Sequence, residues 1–235
     1  MQCEIVYEDQ EILVIHKPSG LATQSAGVGQ MDVVSELKAY LSRQMDKQEK
    51  KPPYLGIIHR LDQPVEGLLV FAKTTSSAAA LTKQLGSGEL NKQYLAVVLG
   101  RPDEDACLTD YLRKDKDRAQ VVTEQQEKYP DAKVATLRYK VLKTAESFLH
   151  TEISLLRVQI ETGRFHQIRA QLSHAGYPIL GDRKYAVSQS MELSKALQIQ
   201  SVLLCADKLQ IIHPGNRKKM EWTISPSWEK MFSML

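Results

Sequence analysis

The chain is poor in the residues that hold small secreted or metal-built proteins together. It has 3 cysteines in 235 residues, Cys3, Cys107 and Cys205, and none forms a Cys-x-x-Cys pair. A disulfide framework and a structural zinc site are therefore both excluded as organising features, and the odd count fits a reducing compartment. No run of about 18 apolar residues occurs, so a membrane-spanning helix is not expected. The first residues, Met1-Gln2-Cys3-Glu4-Ile5-Val6, lack the basic start and apolar stretch of a secretory signal. One-sided charge is also missing. Lys plus Arg is 31 and Asp plus Glu is 28, a net charge of +3 that permits a nucleic-acid partner without demanding one. No Gly-x-Ser-x-Gly elbow is present, which argues against a standard α/β-hydrolase, and Gly27-Val28-Gly29 falls short of a phosphate-binding loop. His166 and His174 lack a third ligand, so no metal or other cofactor is expected.

What is present is ordinary globular material, 43% hydrophobic and 25% charged, patterned mostly as strands. Ile5–Tyr7 and Ile12–Ile15 are short β-branched runs, Leu68–Ala72 and Tyr94–Leu99 are continuous apolar runs, and Leu137, Tyr139 and Val141 alternate with Arg138 and Lys140. Further strands are expected over Phe148–Glu161, Val202–Ala206, Leu209–His213 and Glu221–Ser225. Helical spacing marks 31–47 with Asp32 as N-cap, a short helix after Ser76 or Ser77 that Gly86 ends, and a third from Phe165 to Ala175. Strands outnumber helices and do not alternate with them. The pattern predicts an α+β protein with a largely antiparallel or mixed sheet and flanking helices. Arg113-Lys114-Asp115-Lys116-Asp117-Arg118 reads as a solvated hairpin tip.

Two segments concentrate chemistry. In His59-Arg60-Leu61-Asp62-Gln63-Pro64, ionisable side chains lie in a loop between two apolar runs. A carboxylate beside an arginine stays ionised, as a nucleophile or base requires, although a salt-bridged turn has the same composition. In Arg164-Phe165-His166-Gln167-Ile168-Arg169, cations gather at a helix start, where the dipole disfavours them. The placement calls for an anion nearby, either Asp62 or an RNA phosphate.

Taken together, these segments resemble the RluA-type pseudouridine synthases. His59-Arg60-Leu61-Asp62 with Gly67-Leu68-Leu69 resembles the family signature, and Ile12–Gly20 its opening strand and Lys-Pro-x-Gly turn. Lys92–Gly100 resembles its Lys-x-Tyr-x-Ala-x-Val-x-Gly segment and Gly163–Arg169 its Gly-Arg-x-His-Gln-Ile-Arg helix start, with Pro178–Asp182 and His213-Pro214 also fitting. The resemblance implies a mixed, largely antiparallel sheet split by a central RNA-binding cleft, and isomerisation of a uridine in rRNA or tRNA without cofactor or metal. It further implies one catalytic domain over 1–235 without a separate S4 domain, acting in the cytoplasm as a monomer. By the same resemblance Asp62 is the catalytic carboxylate, Tyr94 stacks on the flipped base, and Arg169 pairs with the aspartate. Arg60 contacts phosphate or holds the base out of the stack, with His59 and Arg164 also on the substrate side. His166 and Gln167 organise the site, and Ile168 and Leu68 wall the base. The chain departs from the family at Pro64-Val65-Glu66, where Glu66 is expected to add negative charge near the RNA-binding loop. The rival reading is a non-catalytic RNA-binding or ribosome-assembly protein on the same scaffold.

Overall fold

The computed structural model describes residues 1–25, 27, 29–45, 51–123, 129–147 and 150–230. Two compact units emerge. The first comprises Met1–Lys92 with Ala206–Ser225, and the second Gln93–Cys205 with Pro226–Leu235.

The first unit is built on β1 (Glu4–Glu8), β2 (Ile12–Lys17), β3 (Gly56–Ile57), β4 (Glu66–Ala72), β10 (Leu204–Ile212) and β11 (Lys219–Thr223). β1 pairs with β2, β2 and β3 with β4, and β10 with β11, all antiparallel. Ile12, Leu13, Val14 and Ile15 are all fully buried, as is the whole of Leu69–Ala72. Apolar runs without alternation therefore mark strands covered on both faces. One face holds Ile12, Val14, Leu68, Val70, Leu209 and Ile211 around Leu81 of α2 (Thr75–Ser87). Each such aliphatic side chain contributes about 1.5–3 kcal/mol on burial. Helix α1 (Val33–Gln44) buries Val33, Leu37 and Leu41, and Asp32 caps it by accepting the Ser35 N–H at 2.7 Å. The helix is shorter than the expected 31–47, with Asp32 and Met45 as its caps, and of the helix end and following loop residues 46–50 lie outside the described residues. Helix α2 is longer than its sequence suggested. It is capped by Thr74, runs through Gly86, and ends at Gly88 with φ +77°.

The second unit is an antiparallel sheet in the order β5 (Asn91–Leu99), β9 (Glu152–Ile160), β8 (Lys133–Glu146), β6 (Asp105–Asp115), β7 (Arg118–Val122). Helices α3 (Gln167–His174) and α4 (Ser188–Ala196) accompany it. The α+β architecture with largely antiparallel pairing thus agrees with the strand-rich pattern. Two details differ. The late strands expected at 202–206 and 209–213 are one continuous strand, β10, because Asp207 and Lys208 hold strand backbone between them. The third helix starts at Gln167, since His166 takes the left-handed conformation at φ +50°. Of the strand expected over 148–161, residues 148–149 lie outside the described residues.

Candidate active site

The loop carrying Asp62 is short and tightly held. Asp62 opens a turn in which the Val65 N–H donates to the Asp62 carbonyl at 3.0 Å. The facing segment, 17–23, laces onto this turn. Gly20 N–H donates to Gln63 O at 2.9 Å, Ser19 Oγ to Pro64 O at 2.7 Å, and Thr23 Oγ1 to Leu61 O at 2.9 Å. Gln63 Nε2 returns a bond to Gly20 O at 3.0 Å. The Lys-Pro-x-Gly turn is therefore the clamp of the Asp62 loop.

Lys17 is the centre of that clamp. Its side chain is fully buried, and its ammonium donates to the carbonyls of Pro18, Leu21 and Gln63 at 2.9, 2.7 and 3.1 Å. All three N–H donors are thereby satisfied inside the protein. Burial pushes the ammonium down to about 8, against the opposing pull of Cys3, Asp62 and Glu66. Lys17 went unnoticed as a site residue in the sequence because a lysine gives no sign of burial. The matching turn motif was its only signal.

Glu66 is not where the sequence suggested. It is 3% exposed at the start of β4, with an oxygen 3.9 Å from His16 Nε2, so its charge belongs to the Lys17 and His16 surroundings and not to an open RNA-facing surface. The next residue, Gly67, sits at φ +136°, where an added Cβ would come within 2.5 Å of the Ala206 nitrogen. Only glycine fits there.

His59 is buried and its Nε2 accepts the Val70 N–H at 3.3 Å, which places the ring proton on Nδ1. Burial, helped by the Lys92 charge, holds this imidazole well below its usual range, so it is a neutral structural group. Burial likewise brings Lys92 down to about 8. Arg60 is exposed, Asp62 is half-buried, and Leu68 is buried beneath the loop on β4.

In the second unit, Tyr94 is buried on β5, paired across to Val158. Arg169 is 3% exposed and bonds two-pronged to Asp182, Nε to Oδ2 at 2.7 Å and Nη2 to Oδ1 at 2.9 Å. The anion that answers this helix-start cation within its unit is thus Asp182, which was neither of the two anions considered from sequence. Asp182 also accepts the backbone N–H groups of Lys184 and Tyr185. Burial alone would raise its carboxyl, but the Arg169 hydrogen bonds and charge prevail and hold it below 3.8.

Gln167 organises the helix start. Its Oε1 accepts from Thr162 Oγ1 and Arg164 N–H, and its Nε2 donates to Thr136 O. His166 Nδ1 lies 2.9 Å from the Tyr185 hydroxyl, whose oxygen accepts the Ala119 N–H. Ile168 is buried, whereas Arg164 is exposed with Nε on Val134 O. All of Gln167–Leu172 is buried, so α3 has no solvated face bearing Arg169. Among the described residues no group of three or more His, Cys, Asp or Glu side chains is placed to hold a metal, and no helix is long and apolar enough to cross a membrane.

Comparison with known proteins gives concordant results. The sequence profile described as RNA pseudouridylate synthase matches residues 11–174. The ribosomal large subunit pseudouridine synthase D of Pseudomonas aeruginosa is 34% identical over 230 residues, covering 94% of this chain and 68% of that protein. The protein of the same name from Yersinia pestis is 34% identical over 231 residues, covering 93% and 66%. The chain thus spans about two thirds of the length of these relatives. Among solved structures, human RNA Pseudouridylate Synthase Domain Containing 4 superposes with a TM-score of 0.73 at 23% identity, over 97% of this chain and 90% of that one. Human RNA Pseudouridylate Synthase Domain Containing 1 gives 0.75 at 18%, over 96% and 84%. These two establish the shared fold.

Proposed function

This chain belongs to the RNA pseudouridylate synthase family, and from that premise we propose that it isomerises a uridine of ribosomal RNA to pseudouridine. The N1–C1′ glycosidic bond breaks, a C5–C1′ bond forms, the C5 proton leaves, and N1 ends protonated. Nothing is oxidised or reduced, so the reaction asks only for binding, charge stabilisation and proton transfer.

Asp62 is the catalytic carboxylate in this reading. The observation that carries it is the lacing of its loop onto 17–23 around the buried Lys17 ammonium. A carboxylate in so fixed a turn is preorganised. Tyr94 offers its ring to the flipped base and its hydroxyl to proton transfer. Arg169 supplies a cation whose orientation Asp182 fixes. Arg60 and Arg164, both exposed, contact phosphate. His59, His166 and Gln167 hold backbone and ring positions, and Leu68 and Ile168 give the apolar wall for the base. The enzyme works as a cytoplasmic monomer without a cofactor.

Asp62→Ala and Asp62→Asn test this. Ribosomal RNA lacking the modification is incubated with purified protein, and pseudouridine is mapped by chemical labelling and mass spectrometry. Both variants are expected to fold, bind RNA and form no pseudouridine. Product formation by either variant refutes the assignment, and no product from the wild type on any ribosomal RNA leaves the non-catalytic binder as the better reading.

A further inference from the structure

The charged hairpin tip that read as merely solvated is placed against aromatic rings. Hairpin β6–β7 turns at 115–118, and its run Arg113–Arg118 carries four cations and two carboxylates. One carboxylate, Asp117, is held by Lys184 Nζ at 2.5 Å. Lys114 Nζ stands 4.9 Å from the centroid of the Phe165 ring, and the Arg118 guanidinium 5.6 Å from that of Tyr185. The hairpin is fixed in this position, because Tyr185 accepts the Ala119 N–H and Ala119 packs with Ala170 of α3.

Phe165 is the unusual member. It is 39% exposed, and it stacks on the buried His166 at 3.8 Å between centroids and 19° between planes. His166 is in turn held edge-on by Tyr185. Folding therefore rigidifies an aromatic ring without burying it. One ring face rests on His166, and the Lys114 ammonium, on a flexible chain, lies 4.9 Å from the ring centre. A flat π-face backed by a fixed ring and bordered by mobile cations is what a nucleotide stacks on, with its phosphate drawn to the cations. A protein partner would need a contiguous apolar patch, and among the described residues this surface offers a single exposed aromatic ring.

We propose that Phe165, with Lys114 and Arg118, forms a stacking subsite for an unpaired nucleotide of the RNA substrate. The proposal rests on the RNA-modifying function but not on its chemistry. On binding, the base lies on Phe165, and Lys114 leaves the ring for the phosphate. The ligand must be single-stranded, because a paired base has no free face to offer.

The test is fluorescence anisotropy of a labelled single-stranded oligouridylate with the full chain, at several salt concentrations. Phe165→Ala is expected to weaken binding about tenfold, the effect of losing one stacked base, while Phe165→Trp binds at least as well as the wild type. The Lys114→Gln/Arg118→Gln double variant is expected to lower the salt slope by about 0.7 per lost phosphate contact. Phe165→Ala binding within about twofold of the wild type overturns the proposal. So does Phe165→Trp as weak as Phe165→Ala, or an equal loss for duplex RNA. Pseudouridine formation by the same wild-type protein, assayed beside these titrations, separates the two readings. Phe165-dependent binding without pseudouridine formation sinks the catalytic reading alone, and pseudouridine formation without Phe165-dependent binding sinks the subsite alone.

Discussion

Asp182→Ala is the most informative perturbation of the fold that carries the site. Asp182 is 2% exposed and its two oxygens take four donors: Arg169 Nε and Nη2, and the N–H groups of Lys184 and Tyr185. Truncation leaves a guanidinium uncompensated in the interior, a situation that costs about 3–5 kcal/mol. At about 2–4 °C per kcal/mol for a chain of this size, the melting temperature should fall by roughly 6–20 °C. Asp182→Asn keeps an acceptor for the backbone N–H groups but loses the charge, so it should fall between the wild type and Ala. The pH dependence has a definite sign. The folded carboxyl titrates below its unfolded value of 3.8, so its contribution is present above that value and is lost as pH falls through the lower folded one. The acid limb of the stability curve should therefore be shallower in Asp182→Ala than in the wild type. The assay is thermal and urea unfolding followed by circular dichroism from about pH 7 down to about pH 3. Asp182→Ala melting within about 1 kcal/mol of the wild type, with an unchanged acid limb, would show that this pair does not hold the helix start.

Two further outcomes follow from the first unit. Deprotonation of Lys17 near its value of about 8 removes one of the three donors of the carbonyl cage that ties segment 17–21 to the Asp62 loop at Gln63, so turnover is expected to decline above that pH. Its folded value lies below the unfolded 10.5, so its contribution to stability improves as pH rises between the two, and the decline in turnover is not unfolding. Constant turnover well above pH 8, with the fold intact by circular dichroism, contradicts this role. Gly67→Ala would bring a Cβ within 2.6 Å of Ala206 backbone and side-chain atoms at a φ of +136°. Strain and overpacking together predict a loss of about 2–5 kcal/mol. A wild-type melting temperature for that variant would refute the close approach.

Strands such as Leu68–Ala72, buried throughout, and Leu137–Val141, alternating, were legible because they follow directly from which faces are covered, whereas β6 and β7 were foreseen only as the hairpin tip at 113–118. Helix α4 was missed, since Ser188–Ala196 is serine-rich and buries only Ser190, Leu193 and Ser194, too little for an apolar stripe. The start of α3 was misplaced because a left-handed histidine has no sequence signal. Motif order brought Asp62, Tyr94 and Arg169 forward as candidates, but it could not reveal what holds them. Asp182 lies 13 residues from Arg169, and Lys17 is 46 residues from the Gln63 carbonyl it binds. Such partners are fixed by chain packing and not by local pattern.

The carbonyl cage around Lys17 also makes that residue a reporter of local opening. An amine with a value near 8 is partly unprotonated, and so nucleophilic, under conditions where ordinary lysines are almost wholly charged. Full burial nonetheless keeps solvent-borne acylating reagents away from it. Lys17 should therefore be slow to label while the cage is shut and fast once it opens. Its labelling rate, read against exposed lysines such as Lys51, would time the opening of the segment that carries Asp62.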